Sequence, residues 1–198
     1  MISIIDYGAG NIKSVYKAFS YIGADVNIVS DYESASTADA LVFPGVGSFD
    51  DSINSLRTRG LDKTILEAYD NEKPFFGICL GLQMLFEKSE EGKEKGIEIF
   101  KGEVKRIPEN LGIRVPHIGW DNVKFRKKSE FDNEQFYFVH SYYARAKDRD
   151  IVLATCDYGV ETDVIIKDKS FIATQFHPEK SSKNGLQILK NWVEKIKL

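Results

Sequence analysis

The chain of 198 residues has a formal net charge of −3, and 42% of its residues are hydrophobic. This composition is ordinary for a globular protein with a sizeable core, and it excludes a general electrostatic attraction to nucleic acid or to an anionic membrane. The only two cysteines are Cys79 and Cys156, and no basic-then-apolar leader or membrane-length apolar run is visible. We therefore expect a cytoplasmic protein in a reducing compartment, with no membrane or nucleic-acid partner.

The first half of the chain alternates short apolar runs with segments of helical spacing. Strands are predicted at residues 2–5, 25–29, 40–43 and 74–78, and helices at residues 11–22 and 52–71, the second broken near Gly60. Strands separated by helices are typical of a parallel sheet that is covered by helices on both faces.

The second half of the chain is richer in strands. We predict strands at residues 98–107, 122–125, 135–139, 151–156, 164–167 and 171–175, and a final amphipathic helix at residues 185–196. The charged stretches at residues 87–98 and 145–150 are interpreted as solvated loops. The expected fold is α/β, with a mostly parallel central sheet, flanking helices, additional antiparallel strands and a single domain over residues 1–198.

The segment "GICLGLQML" places Cys79 at a corner between a predicted strand and a predicted helix at residues 82–86. Gly77 and Gly81 would let the strand and the helix pass closely, as in the nucleophile elbow of other α/β enzymes. We expect an exposed thiol at the helix N-terminus, where the partial positive charge favours the thiolate and adjacent N–H groups can hold an oxyanion. The alternative is a buried structural cysteine.

A second candidate group lies in "ATQFHPEKSS", where His177 follows a predicted strand. Glu179 lies two positions further on, and in an extended segment the two side chains would point the same way. The carboxylate could then orient the imidazole, as the third member of a Cys-His-carboxylate triad does. The alternative is an ordinary turn. His117 and His140 are by themselves more typical of core or loop histidines.

Three ordered motifs, "VFPGVGSF", "GICLGLQMLFE" and "ATQFHPEKSS", resemble the class I (triad) glutamine amidotransferases, which have a flavodoxin-like α/β fold. The resemblance extends from "DYGAGNIKSV" to "HPEKSS". It implies that Cys79 attacks the side-chain amide of glutamine, that His177 moves the proton, and that Glu179 orients His177. It implies no cofactor, and three scattered histidines do not make a metal site.

The resemblance also implies the residues that hold the substrate. Oxyanion stabilisation is expected from the backbone around Val46 and Leu80, and Gln83 is expected to bond the α-substituents of glutamine. The full set of expected substrate and oxyanion residues is Gly45, Val46, Gly47, Leu80, Gln83, His140, Ser141 and Tyr142. Glycines in the "PGVG" loop would make a peptide flip easy, so that the loop could switch the activity.

The segments "DYGAGN", "PHIGWD" and "FVHSYY" are most similar to the branch of the family that supplies ammonia in histidine biosynthesis. There a separate (β/α)8-barrel cyclase subunit forms a heterodimer with the glutaminase. The resemblance gives the candidate interface residues Asn11, Ser14, His117, Trp120 and Asp121. Asp121 stands where this branch usually has Asn.

Two alternatives stay open at this point. One is a paralogous glutaminase that serves another synthase, such as one amidating a surface sugar, with which Asp121 is compatible. The other is a standalone cysteine hydrolase of related fold, which partner-free turnover would favour. A non-enzymatic interaction module would require an incomplete triad, and here all three residue types are present.

Overall fold

The computed structural model describes residues 1–8 and 11–196, and twelve strands and six α-helices lie within them. The strands are β1 Ile2–Ile5, β2 Val26–Val29, β3 Ala40–Gly45, β4 Phe75–Cys79, β5 Phe86–Ser89, β6 Phe100–Arg106, β7 His117–Phe125, β8 Glu134–His140, β9 Tyr142–Ala146, β10 Val152–Asp157, β11 Glu161–Asp168 and β12 Phe171–Thr174. The helices are α1 Ile12–Tyr21, α2 Tyr32–Ser36, α3 Phe49–Thr58, α4 Leu61–Asp70, α5 Leu80–Gln83 and α6 Ser182–Lys195. Ala9 and Gly10 of the "DYGAGN" motif lie outside the described residues.

The sheet has a parallel part and an antiparallel part that meet at β12. The strand order is β2-β1-β3-β4-β12-β11-β10-β7-β8, and every pair from β2 to β12 is parallel. Beyond β12 the pairs of the main path are antiparallel. Strand β9 pairs antiparallel with both β11 and β6, and β6 pairs parallel with β5. The predicted fold class, a mostly parallel sheet with attached antiparallel strands, is confirmed.

Strand β4 shows why the central strands are continuous apolar runs in the sequence. Phe75 packs with α3 and α4 on one face of the sheet, and Phe76 packs with α1 and α6 on the other. Both phenylalanines are fully buried, so each contributes about 1.5–3 kcal/mol of hydrophobic stabilisation. Helices on both faces leave no polar face for the strand to present to water.

The parallel strands β3, β4 and β12 end at one edge of the sheet. In the parallel ladders, Gly45 pairs with Cys79 and Thr174 pairs with Ile78. The chain reaches His177 three residues after β12 ends. The carboxyl edge of an open parallel sheet is where such folds place their ligands, so the three predicted motifs meet there.

Two local predictions were wrong or incomplete. The helix predicted at residues 82–86 ends at Gln83, and Phe86 begins β5 instead, because Leu82, Leu85 and Phe86 are buried in the core by a tight turn. A short apolar run does not distinguish a helix from such a turn. The strands β5 and β9 and the short helix α2 were not predicted.

Candidate active site

Cys79 lies at a sharp corner between β4 and α5. Its φ and ψ are 55° and −110°, a backbone conformation that is costly for a residue with a side chain. A Cβ on Gly81 would overlap the carbonyl oxygen of Phe43, so the helix can cross β3 only with glycine at this position. The corner predicted from the glycine pattern is therefore present.

The expectation of an exposed thiol was wrong, because Cys79 is only 6% exposed. It lies in the lining of a cavity of about 440 Å³ whose walls come from several loops at the carboxyl edge. The lining residues are Val46, Gly47, Cys79, Leu80, Gln83, Glu91, Pro116, Val139, His140, Ser141, Tyr142, His177 and Lys180. A nucleophile in this position is shielded from bulk solvent but accessible to a small molecule.

His177 and Glu179 form a buried pair beside this cavity. The imidazole Nδ1 lies 2.8 Å from Glu179 Oε1, and the two side chains are 2% and 1% exposed. Glu179 does not lie on an extended segment as expected: Pro178–Lys180 forms a 3-10 turn, which brings the carboxylate back under the ring. The hydroxyl of Ser181 donates to the carbonyl oxygen of His177 and fixes the turn.

The electrostatics of the pair favour a charged imidazole. Burial alone would lower the pKa of His177, but the nearby Cys79 thiolate and the hydrogen-bonded Glu179 carboxylate outweigh it and raise the pKa to about 10. With Nδ1 engaged by Glu179, Nε2 is the ring nitrogen left for proton transfer with Cys79. This arrangement can hold a thiolate and an imidazolium side by side.

A glutamine that sequence analysis did not select, Gln175, also contacts the nucleophile. Its Nε2 donates to Cys79 Sγ at 3.7 Å, and the side chain is completely buried. Gln83 Nε2 donates to Gln175 Oε1 at 3.0 Å and to the carbonyl oxygen of Tyr142 at 2.8 Å. Both amide protons of Gln83 are used within the protein, so any bond from Gln83 to a substrate falls to its carbonyl oxygen.

The loop after β3 forms one wall of the cavity. Gly47 adopts a φ of +108°, which strongly favours glycine, and Val46 is 37% exposed. Gly45 is buried beneath it, where a Cβ would come within 2.8 Å of Leu80 Cβ and 2.9 Å of the Tyr7 hydroxyl. The backbone of this loop can therefore approach a bound substrate closely.

Glu91 is a second residue that sequence analysis missed. The charged stretch at residues 87–98 was interpreted as a solvated loop, but Glu91 is half-buried and lines the cavity. Burial raises the pKa of its carboxyl group, and the nearby Asp50 charge raises it further, against a hydrogen bond from the backbone of Phe49. A partly desolvated carboxylate in a small cavity is suited to a ligand ammonium group.

The other two histidines are neutral and buried. Burial lowers the pKa of His140 to about 3, and repulsion from the protonated forms of His117 and His177 lowers it further, although its Nδ1 bonds to the carbonyl oxygen of Tyr142 at 2.9 Å. The ring of His117 stacks on Tyr158 at 3.8 Å, and burial lowers its pKa despite the Asp121 carboxylate 3.4 Å from its Nε2. His140 lines the cavity; His117 lies behind it.

The remaining predicted interface residues lie outside the cavity. Asn11 is exposed at the N-cap position of α1, where its side chain makes no capping hydrogen bond, and Ser14 is half-buried in the first turn of that helix. Trp120 is 48% exposed on β7, next to the half-buried Asp121. Their role as an interface stays a prediction.

Three further findings concern a metal site, a membrane-spanning helix and a second cavity. In the part of the chain that is described, no group of three or more His, Cys, Asp or Glu side chains is placed to hold a metal ion. Within the same residues, no helix combines the length and the apolar character needed to cross a membrane. A larger cavity, of about 680 Å³, lies between α6 and the ends of β12 and β11, but its described lining contains no histidine or cysteine.

The chain belongs to the class-I glutamine amidotransferase family, because the sequence model of that family matches residues 3–196. Solved structures share its fold. A glutamine amidotransferase superposes with a TM-score of 0.79 at 18% identity, over 100% of this chain and 99% of that chain. PurLQS from Thermotoga maritima superposes with a TM-score of 0.77 at 16% identity, over 99% and 98% of the two chains.

Two curated relatives narrow the family to one branch. A protein of Caldanaerobacter subterraneus subsp. tengcongensis is 47% identical over 204 residues, which cover 100% of this chain and 99% of the relative. One of Methanothermobacter thermautotrophicus is 46% identical over 202 residues, which cover 100% of both. Each is named "Imidazole glycerol phosphate synthase subunit HisH". The resemblance predicted from the sequence motifs is confirmed.

Proposed function

We propose that this chain is the glutaminase subunit of an imidazole glycerol phosphate synthase. It hydrolyses glutamine to glutamate and ammonia and acts as a single domain over residues 1–198. The observation that carries the proposal is the Cys79–His177–Glu179 arrangement at the carboxyl edge of the sheet, with the buried 2.8 Å contact between imidazole and carboxylate. Full-length identity to the subunits of this name supports the choice of branch.

The cavity suits the two ends of glutamine. At the amide end lie Cys79 and the backbone of Val46, Gly47 and Leu80. To the other end we assign Glu91, whose carboxylate would accept the α-ammonium group, and the segment His140-Ser141-Tyr142, whose backbone would hold the α-carboxylate; all four residues line the cavity. A zwitterionic amino acid requires charge complementarity of this kind in a partly buried site.

The chemistry follows from the positions of these groups. The Cys79 thiolate attacks the amide carbon, and the charge that develops on the oxygen is stabilised by backbone N–H groups at Val46 and Leu80. His177 gives its Nε2 proton to the departing nitrogen, so that ammonia leaves and a γ-glutamyl thioester remains. Water, deprotonated by the now neutral His177, hydrolyses the thioester to glutamate and restores the thiolate–imidazolium pair.

The ammonia would pass to a (β/α)8-barrel cyclase subunit in a heterodimer, which makes imidazole glycerol phosphate and AICAR. The relatives are named as subunits, which supports a partner. The candidate interface residues are Asn11, Ser14, His117, Trp120 and Asp121, of which Trp120 presents a large exposed aromatic surface. Both cysteines are free, which is consistent with a cytoplasmic location.

Glutamate release by the purified chain, with and without the barrel subunit and its nucleotide ligand, tests the proposal. We expect slow hydrolysis by the chain alone and a rise of about a thousandfold in the complex, which corresponds to about 4 kcal/mol of coupling. Full activity of the isolated chain would favour a standalone hydrolase. If the barrel subunit neither binds nor activates the chain, while the chain alone still hydrolyses glutamine, the result would favour a glutaminase that serves a different synthase.

A further inference from the structure

A second, separate set of contacts joins helix α3 to the loop that carries Glu91. Asp50 lies in the first turn of α3, three residues after Gly47. Its carboxylate accepts the backbone N–H of Lys93 at 3.1 and 3.0 Å and that of Glu94 at 3.0 Å. Hydrogen bonds from two successive backbone amides to one carboxylate are strong and directional. They therefore stabilise the loop and also set its orientation.

Gly92 lets the two segments approach this closely. A Cβ at position 92 would overlap the Asp50 carboxylate oxygens, so the carboxylate lies against the bare Cα of the glycine. The backbone of Gly92 is outside the left-handed region, so only this contact demands glycine there. Any larger residue would push Asp50 out of its position.

Glu91 precedes this contact directly in the chain, next to Gly92, and burial together with the charge of Asp50 raises the pKa of its carboxyl group. Asp50 thus ties the part of the loop that carries Glu91 to the start of α3. The start of α3 is also the end of the Gly45–Gly47 wall, which leads into it through Ser48.

We propose that Asp50 is a positioning residue, which holds Glu91 at a fixed distance from the oxyanion loop and so aligns the α-ammonium of glutamine with its reacting amide. This inference rests on the proposed function and adds a residue to it. Asp50 touches no substrate atom and acts through the loop. Its removal should therefore weaken the part of catalysis that depends on the α-ammonium group, and leave the rest unchanged.

The experiment compares two amides, L-glutamine and glutaramate, which lacks the α-amino group. The full-length chain is assayed with the barrel subunit. For Asp50→Ala we expect kcat/KM for glutamine to fall about ten- to a hundredfold, and that for glutaramate to change less than about twofold. Asp50→Asn, which keeps one carbonyl acceptor, should lose less. Asp62→Ala removes an acidic residue from the first turn of α4 and controls for the helix-dipole effect alone.

A mutant cycle with Gly92→Ala tests the contact itself. In the parent, Gly92→Ala should reproduce the loss seen for Asp50→Ala. In the Asp50→Ala background it should cost nothing further, because the space for the Cβ is then free. Likewise, Asp50→Ala should have no effect on glutamine turnover in a Glu91→Ala background.

Four outcomes would overturn the inference. Equal losses for glutamine and glutaramate would make Asp50 merely structural, as would a loss equal to that of Asp62→Ala. Additive losses in either cycle would show that Asp50 does not act through Gly92 and Glu91. A parent complex without glutaminase activity would overturn the proposed function and this inference with it, whereas an active parent with one of the other results overturns the inference alone.

Discussion

The corner around Cys79 and the strand around Cys156 place the same side chain in two buried settings. The two cysteines are 6% and 1% exposed. Cys79 has a strained backbone, a glutamine amide at 3.7 Å and a charged imidazole beside it. Cys156 lies on β10 among apolar neighbours, opposite Thr162, and burial raises the pKa of its thiol to about 12. Burial by itself therefore does not determine cysteine reactivity, which depends on the partners that are buried with it.

The largest contrast is expected from removing each thiol. Cys79→Ala should lower glutamine hydrolysis about a thousandfold or more, because the described lining of the cavity contains no second thiol that could form the thioester. Cys156→Ala, the matched control, should retain activity near that of the parent, since Cys156 lies outside the cavity lining. Steady-state glutamate release checks both variants. Near-normal turnover by Cys79→Ala would reverse the assignment of the nucleophile.

Replacing the base His177 should lower kcat more than replacing the carboxylate that orients it, Glu179. His177→Ala removes the group that carries the proton, whereas Glu179→Ala leaves the imidazole in place and removes only its hydrogen-bond partner. We expect the loss of kcat to be about tenfold greater for His177→Ala. Parallel assays of the two variants measure this order. Equal activity of His177→Ala and the parent would contradict the triad.

Alkylation sharpens the comparison without substrate. Iodoacetamide at neutral pH should modify Cys79 at least about a hundredfold faster than Cys156, because the thiolate is the reactive form. Modification of Cys156 should require unfolding in urea, where the two rates converge. Peptide mass spectrometry over time follows both sites in one sample. Equal rates in the native protein would remove the distinction.

The histidines give a smaller, pH-dependent effect. The pKa of His140 falls from 6.5 to about 3 on folding, mainly through burial, so the unfolded chain binds its proton first. The contribution of His140 to the free energy of unfolding is fully present above about pH 6.5. It is lost as the pH falls towards 3, by up to about 1.4 kcal/mol per pH unit. His177 has the opposite sign: its raised pKa gives stability that is lost as the pH rises towards 10.

Urea unfolding between pH 7 and pH 4 measures the effect of His140. The His140→Gln variant should lose stability less steeply than the parent over this range, since it no longer takes up the proton on unfolding. Identical slopes for the two proteins would show that the neutral, buried state of His140 does not contribute.

The sequence predicted the parts of the site that local pattern controls. The apolar run before Cys79 and its flanking glycines indicate a tight corner, and the corner is present. The cavity over Cys79 could not be predicted, because its walls come from β3, β8 and the loop of Glu91, which meet only through the strand order. The exposed thiol was therefore a wrong expectation.

The two charged stretches were wrongly predicted to be solvated loops for a similar reason. From the sequence, the charged stretch at residues 87–98 was interpreted as a solvated loop, since a charge run is usually on the surface. Asp50 holds this loop from a distant helix, and so Glu91 reaches the cavity. In the second charged stretch, Arg149 pairs at 2.6 Å with the fully buried Asp163. A glycine within a run of charged residues, as at Gly92, was the one local signal of a close approach.

Trapping the covalent intermediate tests the central claim most directly. The complex is mixed with glutamine, quenched in acid within the first turnovers, digested and analysed by mass spectrometry. The account predicts a γ-glutamyl adduct on the peptide that contains Cys79 and none on the peptide that contains Cys156, and loss of the adduct in Cys79→Ala. Steady hydrolysis with no adduct on Cys79, or with an adduct on Cys156, would contradict it.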